Sequence, residues 1–238
     1  MIESTKKIMS GGAIGTQPDA RRPARRSARQ AEFARQRTKR AIDIVGALFF
    51  FAMFGGVFLA IWLGVLLTTG RPAIYRHQRI GYRGKPFYCL KFRSMTPDSD
   101  AVIEKFLADN EAAREEWRLT FKLRNDPRVT RFGCLLRKTS MDELPQFWNV
   151  LRGEMSLVGP RPVVRKELDC FYGAEATRMY ESVKPGLTGP WQVGGRSDTS
   201  YEARVAFDCD YVRSCSIWGD IKLIAKTASS VLTGKGSY

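Results

Sequence analysis

From Ile44 to Leu67 the chain runs through 24 residues without a charge. As a helix this run measures about 36 Å, enough to cross a hydrocarbon core of about 30 Å. Its flanks argue against one straight crossing. Residues 21–40 hold nine Lys/Arg and one acid, and residues 71–93 hold seven Lys/Arg and no acid. Basic segments stay on the cytoplasmic side, so both flanks call for the same side. Gly55-Gly56 stands mid-run, and two adjacent glycines weaken a helix by roughly 2 kcal/mol and allow a sharp break. The pattern therefore leaves two readings open over residues 39–70: a single span, and a re-entrant membrane helix broken at Gly55-Gly56 into two arms too short to span, entering and leaving one leaflet.

Beyond it, Ile74–Gly81 and Pro86–Met95 read as two strands around the turn Tyr82-Arg83-Gly84-Lys85, a β-hairpin. Residues 98–119 read as a charged amphipathic helix with Val102, Phe106, Trp117 and Leu119 as its apolar points. A short helix is expected near residues 142–151, and others over 163–182, 200–213 and 217–233. The last places Ile217, Ile221, Ile224, Ala225, Ala228 and Val231 along one face. Trp218 on that helix suits a lipid-interface anchor or ordinary core packing. Residues 1–38 lack apolar periodicity, are rich in Gly, Ala and Arg, and read as a disordered basic tail. The apolar run begins too late for a signal peptide. The fold class is α+β: a mostly helical domain over 71–238 with a small β-hairpin, anchored by the N-terminal apolar helix.

Charge narrows the partners. The 238 residues carry a net charge of +15, which favours polyanions: nucleic acid, an anionic membrane surface or phosphate-bearing substrates. Five cysteines without a C-x-x-C pair argue against a disulfide framework or zinc. His77 is the only histidine, so catalysis must lean on carboxylates, Arg and Lys.

The segment richest in chemistry is Arg137-Lys138-Thr139-Ser140-Met141-Asp142-Glu143-Leu144-Pro145-Gln146. Leu144, Phe147, Trp148 and Leu151 follow helical spacing, Gly153 suits the end of the helix, and Pro145 is tolerated only in a first turn. The helix is thus expected to begin at or just before Asp142. Two carboxylates there suit capping. On the segment alone capping is the first reading; the second is phosphate chemistry, in which the positive helix end keeps an Asp nucleophile ionised and the neighbouring Glu holds a divalent cation. Farther on, Pro160 and Pro162 fix the backbone around Arg161, which by itself reads first as a plain turn with an exposed Arg and second as a guanidinium aimed for a bidentate phosphate contact. Lys184–Arg196 is a Gly- and Pro-dense loop offering Gln192 and Arg196. No Walker loop and no Rossmann glycine pattern is present.

In order, Lys39-Arg40-x-x-Asp43, the apolar run, Lys91-Phe92-Arg93-Ser94-Met95, Asp142-Glu143-Leu144-Pro145-Gln146, Met155-Ser156-Leu157-Val158-Gly159-Pro160-Arg161-Pro162 and Pro185-Gly186-Leu187-Thr188-Gly189 resemble the bacterial sugar transferase family. These are small monotopic polyprenyl-phosphate phosphoglycosyl transferases; the likeness covers residues 39–238 and implies that the apolar segment over 39–70 is a re-entrant membrane helix rather than a span. Glu116-Trp117-Arg118, Asp126-Pro127-Arg128-Val129 and Arg204-Val205-Ala206-Phe207-Asp208 resemble the exopolysaccharide-initiating branch. The resemblance implies transfer of a hexose-1-phosphate from a UDP-sugar to undecaprenyl phosphate, with release of UMP. Galactose is the first expectation and glucose the second. It implies Asp142 as a nucleophile forming a covalent phosphosugar, Glu143 as the Mg²⁺ ligand, and Arg137 and Arg161 as groups near the substrate phosphates. Lys91, Arg93 and Arg196 fall in motif stretches near the same site. The domain would sit on the cytoplasmic face of the bacterial inner membrane, with room for a homodimer. Two departures stand out. Family members often break the membrane helix at a Pro, where this chain has Phe54-Gly55-Gly56, and Lys184 stands where Arg is common before Pro-Gly. The competing readings are a membrane-tethered nucleic-acid binder and a silent scaffold. The chain shows no aromatic-plus-basic RNA motif and no helix-turn-helix pattern, so no specific nucleic acid is expected, and the intact acidic pair speaks against a scaffold.

Overall fold

In the computed structural model, which describes residues 22–120, 123, 125–194 and 200–233, the apolar run belongs to one helix, α1, Arg22–Thr69. It passes through Gly55-Gly56 without interruption, and neither glycine has a positive φ. The expected break into two short arms is thereby corrected. Glycine permits a kink without forcing one. A cost of about 1 kcal/mol per helical glycine is smaller than that of freeing backbone polar groups in apolar surroundings. The helix also starts inside the stretch expected to be a disordered tail. Residues 22–38 are dominated by Ala, Arg and Gln, which are strong helix formers, and extending an existing helix needs no new nucleus. Residues 1–21, the rest of that stretch, lie outside the described residues.

Polar ties lock the start of the apolar run to distant segments of the chain. The Asp43 carboxylate accepts from the Ser156 hydroxyl and the Leu157 N–H, both at 2.9 Å. Lys39 donates to the Val158 carbonyl at 3.0 Å and pairs with Asp220 at 2.5 Å. Arg40 donates to the carbonyls of Val150 and Leu151 at 2.6 and 2.7 Å, acceptors in the last turn of their helix, where the carbonyls run out of helical donors. Asp43→Ala would strand two buried donors, a loss of about 2–4 kcal/mol. We expect a matching fall in the denaturant midpoint in detergent micelles; an unchanged midpoint would show that the tie contributes nothing.

The hairpin forms as expected: β1, Ile74–Ile80, runs antiparallel to β2, Pro86–Phe92, with Tyr75 opposite Lys91 and Arg79 opposite Phe87. A second pair was not legible. β3, Ser156–Val158, runs parallel to β4, Gly186–Thr188, and three-residue strands inside Gly/Pro-rich segments leave no alternation to read. A Cβ on Gly186 would lie 2.0 Å from the Gly159 nitrogen, so this contact requires glycine. The segment expected as one helix over 98–119 divides into α2, Ser99–Asp109, and α3, Glu111–Thr120. Asn110 is extended between them, and its side chain accepts from the Ala113 N–H at 3.0 Å. An unforeseen helix, α4, covers Arg131–Lys138. A 3-10 turn over Met141–Glu143 then leads into α5, Gln146–Arg152, which Gly153 ends at φ +78°.

The remaining expected helices appear, with α6, Arg165–Glu167, and α7, Gly173–Glu181, joined by a π turn over Leu168–Tyr172. The short α8, Pro190–Gly194, lies in the segment read as loop; α9 is Tyr201–Ser214 and α10 is Ile217–Thr233. Among the described residues the chain is therefore mostly helical, with two small sheets and one long apolar N-terminal helix. Its core forms around β2, β3 and α5, with Ala47 of α1 buried against Phe87, Val150 and Leu157. A second cluster buries Ile61 and Val65 of α1 with Phe92 and Leu136. Elsewhere α1 turns apolar side chains outward, among them Phe49, Met53, Leu59 and Leu67. Trp218 is 65% exposed, which excludes core packing for that side chain.

Candidate active site

The site is built where α4 ends and α5 begins. Ser140 takes a left-handed conformation at φ +56°, reversing the chain after Lys138. Asp142 and Glu143 then fall in the 3-10 turn, four and three residues ahead of Gln146. This corrects the expectation that they occupy the first turn of the helix. Pro145 takes the cap position instead, since its ring is accommodated only where no backbone N–H is needed. No side chain caps α5, which removes the capping explanation for the acidic pair.

β2 and the turn after β3 supply the cations. Lys91 Nζ lies 2.7 Å from Glu143 Oε1 and 3.7 Å from Asp142 Oδ2. Arg161 Nη2 lies 3.4 Å from the same Glu143 oxygen. The backbone around Arg161 is fixed, as its flanking prolines suggested: the Gly159 N–H donates to the Thr188 carbonyl at 2.9 Å and the Gly186 N–H to the Pro160 carbonyl at 2.8 Å. Arg79, Gln146 and Gln192 are among the other lining residues, and the enclosed space is only about 10 Å³.

The two carboxyls are tuned in opposite directions. Burial pushes Asp142 above the ordinary carboxylate range; Lys91 opposes this and the charge on Glu143 adds to it. Burial acts on Glu143 as well, but Lys91 and Arg161 overcome it and bring that carboxyl down to about 2. The helix end expected to keep Asp142 ionised begins too far along the chain, and desolvation prevails. Neighbouring carboxyls driven apart in this way suit two different roles.

The other sequence candidates divide. Arg137 donates from Nε to the Ser94 hydroxyl at 2.9 Å, and its charge reaches Asp142. Arg93 is directed elsewhere: its guanidinium donates to the Arg71 carbonyl at 3.3 Å and lines a separate cleft. Arg196 lies outside the described residues. Sequence reading passed over Arg79, which donates to Glu167 at 2.9 Å. Glu167 also accepts from the Tyr201 hydroxyl and pairs with Arg204 at 3.3 Å. The Arg204 and Arg161 guanidinium carbons lie 5.0 and 5.5 Å from the Trp191 ring centroid, so the ring ties this network to the site. The two-residue period of the hairpin was the available signal, since Arg79 and Lys91 share a face.

Among the described residues no three His, Cys, Asp or Glu side chains cluster as a protein-only metal cage. Mg²⁺ in phosphate chemistry needs less, namely one or two carboxylates with phosphate oxygens and water. An ionised Glu143 approached by both cations through Oε1 fits that demand through its second oxygen.

Comparison with known proteins places residues 34–234 on a family described as bacterial sugar transferase. A UDP-galactose-lipid carrier transferase of Erwinia amylovora is 50% identical over 200 residues, 84% of this chain and 41% of that protein. Exopolysaccharide production protein ExoY of Rhizobium meliloti is 48% identical over 200 residues, 84% of this chain and 88% of that protein. An undecaprenyl-phosphate galactose phosphotransferase of Salmonella typhimurium is 48% identical over 200 residues, again 84% of this chain, and 41% of its own length. The chain thus spans less than half of two of these relatives and most of the third.

Proposed function

The chain belongs to the bacterial sugar transferase family, and from that premise we propose that it transfers a hexose-1-phosphate from a UDP-sugar to a polyprenyl phosphate, the membrane step that initiates an exopolysaccharide. The observation that carries this reading is the Asp142–Glu143 pair, set against Lys91 and Arg161 and tuned in opposite directions. An Asp142 carboxylate oxygen attacks the phosphorus that bears the sugar. The P–O–P bond breaks, and UMP leaves with the bonding pair. Lys91 and Arg161 shift from Glu143 toward phosphate oxygens and offset the moving charge. Glu143 would hold Mg²⁺, which supplies Lewis-acid neutralisation of the diphosphate. The polyprenyl phosphate then takes the sugar phosphate from Asp142, giving ping-pong kinetics.

The names of the galactose-transferring relatives support galactose as the donor sugar over glucose. A screen of UDP-galactose, UDP-glucose and UDP-N-acetyl sugars in nanodiscs with undecaprenyl phosphate should release UMP fastest from UDP-galactose. No UMP from any of them would refute the transfer itself.

Packing supports a monotopic seat on the cytoplasmic face of the inner membrane. Ala47 and Val65 are both fully buried, against Leu157 and Leu136 of one folded body. Eighteen helical residues cover about 27 Å, nearly a hydrocarbon thickness. A spanning α1 would carry that body into the lipid. An α1 held in one leaflet puts its outward apolar face in lipid and both basic flanks on the same side. Thr38→Cys and Thr68→Cys, each made without the exposed Cys134 and Cys170, should react with an impermeant maleimide only in inside-out vesicles. Labelling at position 68 from the opposite side would refute the monotopic seat.

A further inference from the structure

Two cavities adjoin the hairpin, one on the face described next and one that wraps the end of β1, where Ile74 and Arg76 alternate to the opposite face. Cross-strand pairing sets Tyr75, His77 and Arg79 on the same side as Lys91, Cys89 and Phe87. Arg93 continues that series two residues past Lys91, and its N–H donates to the Ala73 carbonyl at 2.8 Å, extending the pairing. At one end lie Glu143, Arg79 and Lys91, with Asp142 3.7 Å from Lys91. At the other, an open cleft of about 750 Å³ is walled by Trp62, Leu66 and Ile74 and holds Arg71, Arg76 and Arg93, with no acid in its lining.

The chemistry of this cleft is that of an amphiphile's binding place. Three guanidiniums with no counter-charge select an anion, and phosphate suits them best. Trp62 and Leu66 come from the last turns of α1, where neighbouring Leu59, Leu63 and Leu67 are exposed and apolar. A free phosphate or a nucleotide would leave that apolar wall unused. A phosphate ester on a hydrocarbon chain uses both, and it arrives sideways along the same apolar helix.

We propose that the cleft is the acceptor subsite, with Arg71 and Arg93 holding the phosphate of a polyprenyl phosphate and Trp62, Leu66 and Ile74 packing on its first isoprenoid units. The assignment rests on the two-step transfer proposed above. Arg93 and Lys91 stand about 7 Å apart along the strand, so a phosphate bound at Arg93 is one short advance from Asp142. In that advance an oxygen of the acceptor dianion attacks the phosphorus carried by Asp142. A P–O–P bond forms, the bond to the carboxylate breaks, and its electron pair returns to Asp142. The three Arg of the cleft thereby serve the second half-reaction, and Lys91 with Arg161 the first.

The test uses the full chain in nanodiscs of phosphatidylglycerol and phosphatidylethanolamine with a photoreactive polyprenyl phosphate. Crosslinks are expected within residues 62–76, displaced by unlabelled polyprenyl phosphate and not by the same amount of added phosphatidylglycerol or inorganic phosphate. Arg71→Gln and Arg93→Gln should each raise the half-displacing concentration about 10-fold, with folding checked by the melting transition. Crosslinks elsewhere, equal displacement by phosphatidylglycerol or inorganic phosphate, or unchanged displacement in both folded variants would overturn the assignment. Photolabelling of the cleft in a protein that takes no label from a nucleotide sugar would sink the phospho-Asp step and leave the lipid cleft standing.

Discussion

Asp142→Asn is expected to lose sugar-phosphate transfer by on the order of 10³-fold or more while folding at least as well as the wild type. Incubated with labelled UDP-galactose and no lipid, the wild type should retain label through precipitation and the variant should not. Stability separates a reacting group from a structural one. Burial raises the Asp142 carboxyl above its unfolded value, so the folded state disfavours the ionised form. The penalty sets in as pH rises through the unfolded value of about 3.9 and is complete above the folded value. A neutral amide escapes it, so the variant's Tm should equal or exceed the wild type's at pH 7, with a smaller difference near pH 4. A capping Asp would behave otherwise: Asn would be neutral throughout, and activity would survive. The raised carboxyl also sets the acidic limb of the loading rate. Because the nucleophile must be ionised, the limb should lie above that of an ordinary aspartate. Label retained by Asp142→Asn, or a limb at the ordinary value, would refute the nucleophile.

How far the sequence carried this picture depends on the kind of signal each element left. The β1–β2 hairpin and α10 were legible because period-2 and helical patterns extend over several residues. The continuity of α1 was not, since Gly55-Gly56 is compatible with a break or a straight helix and only packing at both ends decides. β3 and β4 were hidden because their pairing depends on Gly159 and Gly186 meeting across a sequence gap. At the site, residue types were legible and their divisions were not. Lys91 and Arg93 are near neighbours in one motif, yet one meets the acidic pair and the other lines a separate cleft. The divergence of Asp142 and Glu143 arises from burial and from cations supplied about fifty residues upstream and about twenty downstream, and no local reading contains it.

Lys91→Met should expose that divergence directly. Lys91 is the chief influence holding the Asp142 carboxyl down against burial, and the nearest cation to Glu143. Without it both carboxyls rise. Arg161, 3.4 Å from Glu143, compensates in part. The Asp142 carboxyl is then held still higher, and the phosphate loses one cation in the transition state, so loading should fall by about 10²-fold or more. The acidic limb of its pH profile should move to higher pH. Stability should change with a definite sign. The Glu143 carboxyl is held at about 2 in the folded protein, below its unfolded value of about 4.3, so its contribution is complete above the unfolded value and lost as pH falls through about 2. The variant should therefore be less stable than the wild type by about 2 kcal/mol at pH 7, and the gap should close in acid. Lys91→Arg restores the charge without the compact ammonium and should recover the limb position better than the rate. An acidic limb that stays in place in Lys91→Met would mean that the ammonium does not govern Asp142, and the division of labour between the two carboxyls would have to be redrawn.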